Sequence, residues 1–152
     1  MNSLRVRAYN IEFGDAILVS IPEVEDGNDV YRHILIDVGN RGTENDNRLF
    51  EPVMEDILEE LNGKPLDLYI MTHEHLDHVQ GIPYADKYLY GAEDDSELLE
   101  RLDASFAWYP VSSRQGYYED HGLAFAKKKY QEMSQTLKEI ELFTKTLRAI
   151  NV

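Results

Sequence analysis

The residues best suited to chemistry in this sequence crowd one short segment, from Thr72 to His78. It reads Thr72-His73-Glu74-His75-Leu76-Asp77-His78, so three imidazoles and a carboxylate fall within six residues. The whole chain has five histidines and no cysteine, which leaves imidazole and carboxylate groups as its strong metal ligands. Both groups bind zinc and similar divalent metals. The segment therefore predicts a metal site.

The order of these ligands favours an open site with two metal positions. In a turn after a strand, His73 and His75 can point to one side while Asp77 and His78 point to an adjacent position. A catalytic site needs an open position on its metal, whereas a structural zinc site is closed by four protein ligands. The predicted metal ligands are therefore His73, His75, Asp77 and His78.

The elements before this segment are those expected to position it. Residues Asn45–Leu61 carry apolar side chains three and four positions apart, which predicts a helix capped by Asn45 or Asp46. Asn62-Gly63-Lys64-Pro65 ends that helix, and Leu66–Met71 has the pattern of a buried strand. The metal segment follows this strand directly, and sites in layered α/β proteins are commonly built at such strand ends.

Three strands are predicted nearer the amino terminus. Alternating apolar residues mark Leu4–Asn10, and an apolar run marks Ala16–Ile21 after the Gly14-Asp15 turn. The acidic stretch Pro22–Asp29 predicts a loop, and Tyr31–Val38 predicts a core strand that stops at a glycine. Together with the helix, these strands predict an α+β fold.

Residues 84–152 predict a short helix, a strand and a long helix. Asp94–Leu102 has a short amphipathic pattern, and Ser105–Val111 is a predicted strand that contains the only tryptophan, Trp108. Leu123–Ile150 predicts a long helix, because its apolar positions recur every three or four residues. A helix with this pattern needs a partner surface along its length.

Composition narrows the partners and the compartment. The formal net charge is −14, of which residues 1–121 carry −17 and residues 122–152 carry +3. Such acidity disfavours direct nucleic-acid binding unless a basic partner supplies positive charge. The sequence has neither a long uncharged apolar run nor a signal-peptide pattern, so we expect a cytoplasmic protein without membrane contact.

Ten residues around the metal segment resemble a known signature. Thr72 to Gly81 reads T-H-E-H-L-D-H-V-Q-G, which is similar to the T-H-x-H-x-D-H-x-x-G motif of the metallo-β-lactamase superfamily. Ile34–Gly39 resembles that superfamily's strand ending in Asp-x-Gly, and a helix and the metal-segment strand follow it in the same order. Phe13–Leu18 resembles the Gly-Asp-Ala turn of the branch related to the hydrolase domain of bacterial competence (DNA-uptake) proteins. The resemblance extends from Leu4 to about Ile82.

The resemblance implies a role for each matching residue. His73 and His75 would bind a first metal, and Asp77 and His78 a second, with zinc expected and manganese or iron as alternatives. Asp77 would also orient the nucleophilic water. Asp37 would lie near the site and orient a ligand or the water by hydrogen bonding, although an aspartate that closes a strand before glycine is also ordinary turn chemistry.

Three other polar residues are candidates for lesser roles. Asp15 lies in a Gly-Asp turn, which fits either a place near the site or an ordinary turn. His33 is expected to be a strand residue without catalytic duty. His121 is the only histidine after the metal segment, and we expect it to mark the entry to the long helix rather than to bind metal.

The resemblance covers only the amino-terminal half of an αββα sandwich. We expect residues 1–152 to form a single partial domain, with a metal-loop core at 1–83 and a helix, strand and long-helix extension at 84–152. Superfamily members complete their site with a further histidine, a bridging aspartate and a final histidine on later strands. A chain that ends early, completion by a homo- or hetero-oligomer, or a degenerate relative would each explain the difference. A half-sandwich would also expose an apolar sheet face.

The function expected from these features is metal-dependent hydrolysis. A zinc-activated water would attack a phosphoester, or a related small ester or amide. The alternative is a non-catalytic or incomplete metal-binding half-domain that acts through a protein partner, docked by the basic helix between Lys127 and Arg148. The two hypotheses differ in whether a third histidine and a bridging carboxylate reach the metals.

Overall fold

A five-stranded mixed sheet organises the part of the chain that the computed structural model describes, residues 2–40, 49–73, 75–81, 102 and 104–113. The strands lie in sequence order, with β1, β2 and β3 antiparallel and β3, β4 and β5 parallel. The elements are β1 (Arg5–Ala8), β2 (Ala16–Glu25), β3 (Asn28–Val38), α1 (Phe50–Leu61), β4 (Leu68–Ile70), α2 (Leu76–Val79), β5 (Ala107–Trp108) and a 3-10 turn (Val111–Ser113).

The hairpin formed by β2 and β3 corrects one sequence prediction. The acidic stretch Pro22–Asp29 was expected to be a loop, yet the two strands continue through it and pair as far as Glu25 and Asn28. Only Asp26 and Gly27 form the turn, with φ angles of 53° and 81°. Asp-Gly in the left-handed region suits a two-residue hairpin turn, which matches the twist of the flanking strands. The negative charges therefore lie along a hairpin and not in a loop.

Helix α1 packs on one face of the sheet, as its periodicity predicts. Its buried residues recur three and four positions apart, which places one apolar stripe against the strands: they are Phe50, Val53, Met54, Ile57 and Leu61. The helix ends at Asn62, which adopts a left-handed conformation and donates its backbone N–H to the carbonyl of Leu58. Arg5 and Arg7 of β1 pair with Glu60 of the helix, so ion pairs fasten this edge of the sheet to α1.

The other face of the sheet is apolar as well, and its edges are exposed. Cross-strand partners form two apolar rows on this face: Val6, Val19, Ile34 and Leu68 in one, and Ala8, Ile17, Ile36, Ile70 and Trp108 in the other. Val6 keeps 60% of its surface exposed and Trp108 keeps 64%. Within the described residues, this face is therefore an apolar surface that is exposed at its two edge strands and half-buried between them.

Several sequence predictions fall outside the described residues. They are the Asn45 or Asp46 helix cap, the short helix Asp94–Leu102 apart from buried Leu102, His121 and the long helix Leu123–Ile150. The assignment to the first half of an αββα sandwich stays a prediction, and the architecture of the described residues is the mixed sheet with helices α1 and α2. Among the helices that are described, none has the length and apolar character to cross a membrane.

Candidate metal centre

The predicted ligands gather at one edge of the sheet, where the parallel strands β3 and β4 end. Asp37 lies at the end of β3, and His73 follows β4 by three residues. The backbone carbonyl of His75 accepts the backbone N–H of His78 at 2.9 Å. This turn leads into the short helix α2 and brings Asp77 and His78 back toward the sheet. Carboxyl ends of parallel strands share one edge, so this topology concentrates the polar side chains there.

A β-bulge aims Asp37 into this cluster. Ile36 pairs with Ile17 and Val38 pairs with Ala16, so Asp37 is an extra residue without a partner on β2. Its φ angle is 51°, in the left-handed region that non-glycine residues adopt at a cost of about 1–3 kcal/mol. Bulges of this kind bend a strand and redirect one side chain. The strained conformation turns the carboxylate of Asp37 under the metal segment, where only 2% of the residue is exposed.

The buried carboxylate of Asp37 accepts three hydrogen bonds. The backbone N–H of Thr72 donates to Oδ1 at 2.8 Å, and the Thr72 hydroxyl donates to Oδ2 at 2.6 Å. Nδ1 of His78 lies 2.9 Å from the same Oδ2 atom. Burial removes the water that would otherwise solvate this carboxylate, and the three hydrogen bonds replace it. Asp37 thus joins β3 to both halves of the metal segment.

The three histidine rings and Asp77 form one compact group above Asp37. The ring centroids of His73 and His78 are 3.6 Å apart, and those of His73 and His75 are 4.8 Å apart. Nε2 of His78 lies 3.7 Å from a carboxylate oxygen of Asp77. His75 is exposed, while the other three are partly buried. The group is therefore open to solvent on one side and anchored on the other.

The donor atoms of this group fit a divalent metal such as zinc. Because Nδ1 of His78 faces Asp37, its second nitrogen, Nε2, is left on the side of Asp77 as a ligand atom. Metal-binding histidines commonly hold their other nitrogen against a carboxylate in this way. Imidazole nitrogen together with carboxylate oxygen suits zinc, and it also admits manganese or iron.

A second arrangement of ligands involves Asp15. Oxygens of Asp15 and Asp37 and a nitrogen of His78 lie within 4.8 Å of one another, with Asp15 Oδ2 3.6 Å from His78 Nδ1. A metal bound among them would displace the hydrogen bond between His78 and Asp37. Asp37 already accepts three donors, so the Nε2 side of His78 fits a metal better. Asp15 itself is exposed and faces the site from the β1–β2 turn.

Two glycines allow the three segments of the site to touch through their backbones. A Cβ atom on Gly14 would lie 1.8 Å from the carbonyl oxygen of Gly39, and one on Gly39 would lie 2.3 Å from the backbone nitrogen of His78. Asp15 donates its backbone N–H to the carbonyl of Asp77, and Gly39 donates to Asp15, both at 3.2 Å. The glycines of the Gly-Asp and Asp-x-Gly motifs are thus required by close packing.

Tyr69 lies buried in the sheet close to this site. Its ring meets that of Tyr109 edge to face, with centroids 6.4 Å apart. Burial raises the pKa of Tyr69 well above its usual value, and the negative charge of Asp37 raises it further. Tyr69 is therefore a neutral phenol at any physiological pH.

The outcome for the remaining polar residues is mixed. His33 is a buried strand residue, as expected, and its Nδ1 lies 3.2 Å from the hydroxyl of Ser20. The sequence did not predict the two hydrogen bonds from Thr72 to Asp37, because Thr72 was considered only as part of the motif. Its position directly after the predicted strand and before His73 was the available signal. Glu74 lies outside the described residues.

Comparison with known proteins returns no match to a family model, to a curated protein or to a solved structure.

Proposed function

We propose that this chain carries the metal site of a metal-dependent hydrolase, with His73, His75, Asp77 and His78 as the ligands. The observation that carries the proposal is the group of three imidazoles and Asp77, open to solvent on one side and held from below by the buried carboxylate of Asp37. If these side chains formed only ordinary surface ion pairs, no buried aspartate with a strained backbone would be needed to hold them. Strain and buried charge cluster at functional sites.

The chemistry follows from what each side chain can do. The histidines supply neutral nitrogen ligands, and Asp77 supplies an oxygen ligand that also accepts a hydrogen bond from an attacking water. When bound, zinc supplies positive charge that acidifies water and polarises a phosphoryl or carbonyl oxygen. Asp37 holds His78 and the backbone of Thr72 in place, so it acts on ligand position rather than on substrate.

A phosphoester is the substrate class we favour. The similarity of the Phe13–Leu18 turn to that of competence-protein hydrolase domains favours this class. The chain carries a net charge of −14 and several carboxylates surround the site, so an anionic phosphoester would need the positive charge of the metal in order to bind. Small esters and amides are the neighbouring alternatives.

The second candidate is a metal-binding half-domain that acts through a partner. The observation that favours it is the apolar face of the sheet that carries Val6 and Trp108, each of which is exposed by 60% or more. An exposed apolar surface of this kind often marks an interaction site. On this hypothesis metal is bound, but the chain alone hydrolyses nothing.

Hydrolysis of bis(4-nitrophenyl) phosphate by the purified chain, loaded with zinc or manganese, tests the proposal. We expect metal-dependent release of nitrophenol, and at least a 100-fold loss of rate in His75→Ala and in Asp77→Ala. His33→Gln is the matched control, because it removes a histidine that lies outside the group, and it should keep the rate. Bound metal without hydrolysis would favour the half-domain, and equal rates in all variants would exclude this site as the source of activity.

A further inference from the structure

The hydroxyl of Thr72 is oriented by the carboxylate next to it. A threonine hydroxyl has one hydrogen, and a carboxylate oxygen can only accept. Since Thr72 Oγ1 lies 2.6 Å from Asp37 Oδ2, the hydroxyl hydrogen is committed to Asp37. The oxygen of Thr72 is then left as an acceptor for any further partner.

That further partner is His73. Its Nδ1 lies 3.0 Å from the same Thr72 oxygen. Because the oxygen has already used its hydrogen, the Nδ1 atom of His73 must be the donor. The lone pair of a neutral His73 is therefore on Nε2, the nitrogen available to a metal.

His78 reaches the same state by a direct contact. Its Nδ1 lies 2.9 Å from Asp37 Oδ2, and an acceptor-only oxygen requires that this nitrogen carry the hydrogen. Its Nε2 lies 3.7 Å from Asp77 and carries the lone pair. Both rings are thus protonated on Nδ1. His78 contacts the carboxylate of Asp37 directly, whereas His73 contacts the hydroxyl of Thr72.

We propose that Asp37 is a positioning residue that sets the tautomer of two histidines at once, His78 directly and His73 through the hydroxyl of Thr72. The inference rests on the proposed metal site for its purpose, because a neutral imidazole binds a metal only through its unprotonated nitrogen. In the motif implied by resemblance, His73 and His78 serve different metals. One buried carboxylate would then prepare a ligand for each.

The tautomers are measurable in the metal-free chain by NMR of ¹⁵N-labelled histidine, at about pH 8.5, where ordinary imidazoles are neutral. We expect Nδ1–H for both His73 and His78 in the unmodified chain. Thr72→Val, which removes only the hydroxyl, should release His73 into exchange between tautomers and leave His78 unchanged. Thr72→Ser keeps the hydroxyl and should keep both. An Nε2–H form of either ring in the unmodified chain, or an unchanged His73 in Thr72→Val, would overturn the proposal.

Zinc affinity, measured by competition with a chromophoric chelator, supplies the second readout. Thr72→Val should bind zinc about 10-fold more weakly than the unmodified chain, the loss typical of a removed ligand-orienting partner. Thr72→Ser should bind normally. The expected tautomers in a chain that binds no zinc would contradict the proposed function. They would still support the hydrogen-bond relay, by which we mean the hydrogen bonds from His73 to the Thr72 hydroxyl and from that hydroxyl to Asp37. Equal affinity of Thr72→Val and the unmodified chain would show that the relay has no effect on metal binding, and would overturn the positioning role.

Discussion

Strand β3 carries two buried polar side chains, His33 in its middle and Asp37 near its carboxyl end, yet only Asp37 has the marks of a functional site. His33, which is 6% exposed, meets the neutral hydroxyl of Ser20 across a regular strand pair. Asp37, which is 2% exposed, occupies a bulge with a positive φ angle and binds Thr72 and His78. Burial alone does not distinguish the two residues. Backbone strain together with a buried charge does.

A third cluster, at the tip of the β2–β3 hairpin, shows what ordinary surface charge looks like. Arg32 pairs there with Glu23 at 2.5 Å and with Glu25 at 3.0 Å, and all three side chains are 40–55% exposed. These pairs raise the pKa of Arg32 above its usual value, but water screens such interactions and limits their effect on stability. Substitutions near Asp37 should therefore have larger effects than substitutions at this tip.

The largest effect is expected from Gly14→Ala. The added Cβ would lie 1.8 Å from a carbonyl oxygen of Gly39, and a backbone atom cannot move aside as a side chain can. We expect a loss of about 3 kcal/mol in the free energy of unfolding, together with loss of zinc binding. Gly27→Ala is the matched control, because it meets no atom within 4 Å and bears only the cost of a positive φ angle, about 1–2 kcal/mol. Urea unfolding and zinc titration compare the two variants.

Asp37→Ala should come next. It leaves the backbone N–H of Thr72 and the Nδ1 of His78 without their acceptor, and we expect zinc to bind 10–100-fold more weakly. Ser20→Ala removes the buried hydrogen bond between β2 and His33 in the middle of β3. That variant should lose about 1 kcal/mol of stability and keep its zinc affinity. Equal zinc affinities in the two variants would remove the distinction between Asp37 and His33.

His33 provides a pH test of its own structural role in the middle of β3. Burial lowers the pKa of His33 below its usual value of about 6.5, so the unfolded chain binds this proton more readily than the folded chain. Proton binding at His33 therefore does not change the free energy of unfolding above about pH 6.5. Below that value it lowers the free energy of unfolding, by at most about 1.4 kcal/mol per pH unit. His33→Gln should lose stability less steeply between about pH 7 and pH 5 in urea unfolding of the metal-free chain. Parallel profiles of the two proteins would contradict this assignment.

The smallest effect is expected from Arg32→Ala. The ion pairs of Arg32 are solvent-exposed, so their removal should shift the urea midpoint only slightly and leave zinc affinity unchanged. Urea unfolding and zinc titration of Arg32→Ala give the reference against which Gly14→Ala, Asp37→Ala and His33→Gln are compared. A loss of zinc affinity here would mean that the hairpin tip and the site are coupled.

Local patterns predicted those features that depend on neighbouring residues alone. The helix up to Leu61, its end at Asn62 and the position of the histidine-rich segment after β4 were all visible as spacing or composition. The hairpin was not, because the charges of Pro22–Asp29 were read as a loop although the Asp26-Gly27 pair is a turn signal. A strand can therefore carry many charged residues where it is exposed to solvent.

The bulge at Asp37 and the relay through Thr72 depend on contacts that spacing does not encode. The bulge exists because Ile36 and Val38 pair with adjacent residues of β2, a register fixed only when the sheet forms. Thr72 and Asp37 are 35 positions apart in the sequence and meet because β3 and β4 are parallel neighbours. The residue types of the site were readable from the sequence, whereas the way it is held together required the fold.

The central claim is that His73, His75, Asp77 and His78 bind a divalent metal, and zinc content after reconstitution and dialysis tests it most directly. The account predicts about one or two equivalents of zinc in the unmodified chain and in His33→Gln, measured by inductively coupled plasma mass spectrometry. His78→Ala and Asp77→Ala should each lose zinc. A chain that retains none, or variants that retain as much zinc as the unmodified chain, would contradict the claim.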